Sequence, residues 1–278
     1  MVWIINQRTD GHAGDIARAD CWATGGGAAP KYDPVPADVV AARAAGLQVV
    51  VAIHGFNVNR PDAVRAYVTL EARLGLDPNT HLFVGVCWPG DGIVPIINYS
   101  WESKDAMSCG GYLADYLDTA MPDAAGFSFV SHSLGGRVLL QAVRKLGRTA
   151  DEVCITAGAV DDDCLVREFS AVTGKARRVS VLSSRRDPVL RLAYPLGDFV
   201  TDVFLGGKDS PWHGALGLGG PNPKGQPRGV QHWPIDRASR YGHGDYFPPS
   251  APGPPAVGKW ERSVAYMGRA IRGAPNSW

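Results

Sequence analysis

Short runs of β-branched and aliphatic residues recur along the chain, separated by longer stretches in which apolar residues return every three or four positions. This alternation predicts buried strands joined by crossover helices, hence an α/β fold with a mostly parallel central sheet and helices on both faces. The strand candidates are Val49–Ile53, Leu82–Cys87, Phe127–Val130, Glu152–Thr156 and Arg178–Leu182. Each is short and apolar on both sides, as a strand covered by helices on both faces must be. Met1–Arg8 reads as a further short strand.

Helical periods fall between the strands. Pro61 stands where a first turn tolerates it, Val64, Tyr67, Val68 and Leu74 follow at helical spacing, and Gly75 can close the end. A second helix runs from about Glu102 to Ala120, before Pro122. A third, Leu134–Leu146, carries Val138, Leu139, Ala142, Val143 and Leu146 on one face, and Trp260–Arg272 reads as a closing amphipathic helix. From Leu205 to Lys259 the periodicity disappears, and glycine, proline and aromatics dominate. Trp212, Trp233, Tyr241, Tyr246 and Phe247 need something to bury them, which argues against disorder there. Residues 1–278 are therefore expected to form a single domain carrying a long irregular segment, 205–259.

Composition narrows the class. With 278 residues, 45% of them hydrophobic, the chain can bury a substantial core, and 28 basic against 27 acidic residues leave no field that would favour nucleic acid. No apolar run approaches about 18 residues, so no membrane span is expected. The first residues lack the basic and apolar regions of a signal peptide. Five cysteines without a CxxC pair read as reduced core thiols, and together these features point to a cytoplasmic protein. No cluster of ligands suggests a metal. Gly25–Gly27 follows no evident strand and lacks a lysine, so it reads as a flexible loop and not as a phosphate cradle; no cofactor is implied.

The chemistry concentrates in Phe127–Arg137, where a strand runs into a helix through Ser131-His132-Ser133-Leu134-Gly135-Gly136. Ser133 stands at the apex of a tight turn that needs small residues two before and two after it, supplied by Ser131 and Gly135. Together with His54-Gly55-Phe56-Asn57 at the end of an earlier strand, this elbow resembles the α/β-hydrolase superfamily over roughly residues 47 to 245. Adding Trp88-Pro89-Gly90, Tyr99 and Asp105, the chain resembles a bacterial family of α/β-hydrolases catalogued as a domain of unknown function (DUF900).

That resemblance implies a serine nucleophile followed in chain order by an acid and then a histidine. Asp187, just past a strand end, is the acid it favours, with Asp161–Asp163 as the alternative. His12, His54, His81 and His132 come too early, leaving His213, His232 and His243. His243 lies between Gly242 and Gly244 and is preferred; His232 is second. The backbone amides of Phe56 and Leu134 would form an oxyanion hole. His132, Trp88 and Tyr99 are candidates for substrate contacts, although Trp88, Tyr99 and Trp101 could equally be core. The implied activity is ester hydrolysis through an acyl-enzyme, on a small-molecule or lipid-like ester. An acyltransferase or thioesterase would use the same residues, and a non-catalytic binding module is the rival of another class. Only about 20 residues separate Thr156 from Arg178, too few for a large cap domain, so any cover is expected from Leu205–Gln231.

Overall fold

The computed structural model describes residues 2–9, 16–24, 31–90, 99–192, 214–222, 227, 229–251, 257–274 and 278. In chain order the strands are β1 (Val2–Arg8), β2 (Ile16–Thr24), β3 (Asp33–Pro34), β4 (Gln48–Ile53), β5 (His81–Cys87), β6 (Gly126–His132), β7 (Glu152–Thr156), β8 (Val179–Ser183) and β9 (Val230–Pro234). They form one sheet in the order β3-β2-β1-β5-β4-β6-β7-β8-β9. All pairings are parallel except β1 with β2 and β2 with β3. The expected α/β class is thus the observed one.

Apolarity on both strand faces explains the centre. Val49 to Ile53 in β4 are fully buried, and Val51 stands in register with Val84 of β5 on one side and Phe129 of β6 on the other. The chain leaves β4 toward β5 but later builds β6 to β9 on the opposite flank. Loops at the carboxyl ends of β4 and β6 therefore diverge, and the crevice between them is where a sheet of this kind places its ligands.

The helices are α1 (Ala37–Ala44), α2 (Arg60–Leu74), α3 (Tyr99–Ala120), α4 (Gly135–Lys145), the short α5 (Val172–Lys175) and α6 (Leu216–Gly219), and α7 (Trp260–Ile271). Local chemistry fixes the bounds of α2. The Asn59 side chain accepts from the Asp62 amide, Pro61 occupies the first turn, and Gly75 ends the helix at φ +61°. α2 packs with α7, and α3 packs with α4. Between β7 and β8 the chain forms only turns and α5. No helix among the described residues is long and apolar enough to cross a membrane.

The structure departs from the sequence reading at both ends. β2, β3 and α1 were not expected; β2 is antiparallel at the flank and its I-A-R-A-D-C-W-A-T run mixes polar and apolar positions. It also leads directly into Gly25–Gly27, contrary to the expectation that no strand precedes them; those glycines lie outside the described residues. In the segment read as irregular, Val230–Pro234 forms β9, parallel to β8 at the sheet edge. An edge strand is covered on fewer sides, so V-Q-H-W-P never shows the apolar run of a central strand.

Gly85 sits in β5 under the ring of the fully buried Tyr67, and a Cβ there would lie 2.2 Å from a ring carbon. Gly85→Ala is expected to destabilise the fold by about 2 kcal/mol, because a packed core yields to an extra methyl only by strain. A urea unfolding midpoint equal to that of the parent protein would refute this.

Candidate active site

β6 ends at His132 and α4 begins at Gly135, so the turn is as tight as the sequence implied. Ser133 has φ +55°, a left-handed conformation that an L residue adopts only under constraint. The constraint is close packing of two strand ends. A Cβ on Gly135 would stand 2.3 Å from the His54 carbonyl oxygen, and one on Gly55 would stand 2.9 Å from the Ser133 Cβ. Backbone bonds lock the turn, since the Ser133 amide donates to the Thr156 carbonyl at 3.1 Å. Its carbonyl accepts from Gly136 at 3.0 Å and Ala159 at 3.1 Å.

Ser133, His243 and Asp187 form one hydrogen-bonded line. His243 Nε2 lies 2.8 Å from Ser133 Oγ, and His243 Nδ1 lies 2.7 Å from Asp187 Oδ2. An ionised carboxylate only accepts, so Nδ1 carries the proton and Nε2 is left to accept from the serine hydroxyl. Asp187 is fully buried. Its other oxygen accepts from the amides of Val189 and Leu190, both at 3.0 Å, which caps the helical stretch opening at Pro188. Capping and histidine orientation together occupy both carboxylate oxygens.

The His243 loop is clamped from several sides. Gly242 donates to Asp245 Oδ2 at 2.7 Å, closing a tight turn around the histidine. Ser184 Oγ donates to the Tyr241 carbonyl at 3.0 Å, and Ser263 Oγ of α7 donates to the Asp245 carbonyl at 3.2 Å. His132 adds another tie, because its Nε2 donates to the His243 carbonyl at 2.8 Å.

Opposite Ser133, the turn after β4 is equally fixed. The Tyr67 hydroxyl accepts from the His54 amide at 2.9 Å and donates to the Val86 carbonyl at 2.7 Å. His54 Nδ1 donates to the Gly55 carbonyl at 2.7 Å. In a trans peptide the C=O and N–H point opposite ways, so this bond turns the Phe56 amide away from the His54 ring. Neither the Phe56 nor the Leu134 amide donates to an acceptor among the described residues. Arg8 braces the neighbouring loops, donating to the carbonyls of Trp88 at 3.0 Å and Val58 at 2.7 Å.

The other sequence candidates are placed differently. Trp88 is fully buried, stacks on His54 and donates its indole N–H to the His54 carbonyl at 2.9 Å. With no exposed face it supports the turn instead of lining a pocket. The ring nitrogen of His132 is committed to the His243 loop, and its ring packs on Tyr246 and Phe247 as well. Tyr99 opens α3, with its side chain outside the described residues, as are that of Trp101 and the whole of His213. His232 lies on β9 with Nε2 2.8 Å from Ser183 Oγ. In the acidic run, Asp161 bridges to Ala215 and Asp163 pairs with Arg167 at 3.4 Å. The segment read as a possible cover is anchored where it is described, because Leu216 is fully buried and Gly217 lies directly on the Ala157–Gly158 backbone.

Sequence reasoning missed Tyr67, Ser184, Asp245 and Ser263. Asp245, two residues after the histidine in a Gly-His-Gly-Asp run, carried a local turn signal; the others act across elements and carried none.

The family described as an alpha/beta hydrolase of unknown function (DUF900) matches residues 38–202, well over half of the chain. No curated protein sequence matches it. Among solved structures, a predicted CIB-like hydrolase from Thermoplasma acidophilum is 14% identical, with 82% of this chain and 87% of that one covered at a TM-score of 0.44. An esterase from Pyrobaculum calidifontis is 13% identical, with 92% and 85% covered at 0.44. Carboxyl esterase 2 from Tuber melanosporum is 12% identical, with 98% and 91% covered at 0.43. These are distant likenesses, and the activities named are those of the other proteins.

Burial lowers the His132 pKa to about 3, with the neighbouring His243 adding to the effect; burial and then Arg8 lower His54 to about 3. An unfolded chain takes up these protons near pH 6.5, whereas the folded one stays unprotonated until about pH 3. Unfolding therefore becomes easier as pH falls below about 6.5, by up to about 1.4 kcal/mol per pH unit for each histidine. His132→Gln keeps an amide donor for the His243 carbonyl but does not titrate. It should remove about 2 kcal/mol of the stability lost between pH 6.5 and 5, read by urea unfolding at both pH values. Identical losses in variant and parent would show that His132 is not the group responsible.

Proposed function

Since the chain belongs to this family of α/β-hydrolases, we propose that it is a serine hydrolase cleaving carboxylic esters through an acyl-enzyme. The observation that carries the reading is the unbroken line from Ser133 Oγ to His243 to buried Asp187, with bonds of 2.8 and 2.7 Å, on a serine held at φ +55°. A serine hydroxyl is a poor nucleophile until a base removes its proton as it attacks, and this line supplies the base and the carboxylate that orients it.

In the first half-reaction Ser133 Oγ attacks the ester carbonyl carbon and its proton passes to His243 Nε2. The tetrahedral oxyanion is held by the amides of Phe56 and Leu134, each worth several kcal/mol when preorganised in a dry site. Collapse breaks the bond to the alkoxy oxygen, which leaves with the His243 proton as an alcohol. Water then gives a proton to the same nitrogen and attacks the acyl-serine. Release of the acid returns the proton to Ser133. Asp187 stays ionised and stabilises the imidazolium formed in each half. No metal or cofactor enters these steps. The buried cysteines, with burial pushing the thiols of Cys21 and Cys87 up to about 12, suit a reducing cytoplasm.

Ser133→Ala should abolish both labelling by a fluorophosphonate probe and hydrolysis of p-nitrophenyl acetate, with turnover lowered by a factor on the order of 10⁴ to 10⁶. His243→Ala should match it. His232→Ala should retain most activity, because its imidazole is bonded to Ser183. A folded Ser133→Ala protein that still turns over the ester at the parent rate would end the serine-hydrolase reading.

A further inference from the structure

Beside the acid loop, on the same sheet edge as Ser133, lies a cavity of about 480 Å³ lined by Arg185, Arg186, Arg191, Arg237, Leu218 and Gly219. The four arginines come from three separate places. Arg185 and Arg186 follow β8, Arg191 lies on the helical stretch after Asp187, and Arg237 opens the single turn Arg237–Ser239 past β9. Among the described residues no carboxylate lines the cavity, and none of the four arginines forms an ion pair. Two acids adjoin these arginines in sequence: Asp187 is buried with both oxygens committed to His243 and to two amides, and Asp236 spends its oxygens on the amide and hydroxyl of Ser239.

Four guanidiniums converging from separate elements repel one another unless an anion joins them. Surface arginines scattered for solubility need not share a cavity, and these do. Their field is felt nearby: burial lowers the pKa of His232, and Arg185 lowers it further. Guanidinium is planar, always charged, and forks onto two oxygens at once, which suits phosphate oxygens better than a single-point acceptor. Leu218 and Gly219 add an apolar wall and an open approach.

Position links the cavity to the reaction. β6, which carries Ser133, and β8, which leads into Arg185, are separated only by β7. Neighbouring strands are about 4.8 Å apart, so the two strand ends are roughly 10 Å apart. Resting on the serine-hydrolase reading above, we propose that the arginine cavity binds the phosphoryl group of the substrate. The substrate class is then a soluble ester or thioester whose scissile carbonyl lies about 10 Å or more from a phosphate or diphosphate.

Two measurements test this. In the first, inorganic pyrophosphate is titrated calorimetrically into the Ser133→Ala protein, which reads the site without needing any activity. Saturable binding is expected at submillimolar concentration, at least tenfold weaker in Ser133→Ala carrying Arg191→Gln and Arg237→Gln. No binding at millimolar pyrophosphate, or equal binding by both proteins, overturns the proposal. Circular dichroism identifies a double variant that fails to fold; Arg191→Lys and Arg237→Lys, which keep the charge but lose the fork, then replace it and should show an intermediate affinity.

The second measurement compares butyryl-pantetheine with and without its 4′-phosphate as substrates of the parent protein. The phosphorylated form is expected to have a kcat/KM at least tenfold higher, chiefly through KM, with pyrophosphate as a competitive inhibitor. Equal values for the pair overturn the phosphate site while leaving the hydrolase reading intact. If neither is cleaved and p-nitrophenyl acetate is also inert, the hydrolase reading has failed, and the titration alone decides the anion site. Sedimentation with phosphatidylglycerol vesicles that pyrophosphate does not reverse would mean that the arginines meet a membrane surface, and would also overturn the proposal.

Discussion

The site depends on how closely the ends of β4 and β6 approach each other. Gly135 lies against the His54 carbonyl and Gly55 against Ser133, so neither position has room for a side chain. That contact forces the chain to leave β6 through a left-handed serine. Similar strain recurs along the same edge, since Asn57 after β4 has φ +58° and Ala157 after β7 has φ +45°. A left-handed non-glycine residue costs on the order of 1 kcal/mol or more, and it persists only where surrounding bonds over-determine it. Here they do: the Ser133 amide and carbonyl are tied to β7 and to the turns beyond it.

Once Ser133 is fixed, the remaining groups must reach it from distant parts of the chain without losing precision. Asp187 is rigid because it caps a helical stretch as well as holding His243. The histidine loop lies between β9 and α7 and is held by side-chain ties: Asp245 within the loop, Ser184 from the strand side, His132 from the elbow and Ser263 from α7. This gives the closing helix a role beyond core packing. Tyr241, which reaches both Ser263 and the Lys259 carbonyl, binds the base of the loop to the start of α7.

Much of this was legible in the sequence, and the boundary is physical. The central strands declared themselves because burial on both faces demands continuous apolar runs, and α2 because Pro61 and Gly75 punctuate it. The elbow was legible because its steric demands are local: small residues must stand two before and two after the serine. β2 and β9 were not, since a flanking strand tolerates polar positions and its apolar signal is diluted. Trp88 illustrates the limit for single side chains. A tryptophan at the end of a strand is compatible with a pocket wall or with core, and only its stacking on His54 and its bond to the His54 carbonyl distinguish the two.

Three histidines cluster around Ser133, yet their partners among the described residues suit only one of them to the proposed role of base. His54 spends Nδ1 on the Gly55 carbonyl, and its Nε2 is buried without a partner among the described residues, so a proton there would be a desolvated charge that none of them answers. His132 spends Nε2 on the His243 carbonyl, and its closest ring neighbour is His243 itself, so protonating both would set two cations 4.8 Å apart. His243 alone faces a carboxylate on one nitrogen and a hydroxyl on the other. The three imidazoles have the same intrinsic basicity, so their roles are set by burial and by what each nitrogen meets. Two act as neutral, shape-holding groups, and the third has the contacts that the proposed exchange of a proton with Ser133 requires.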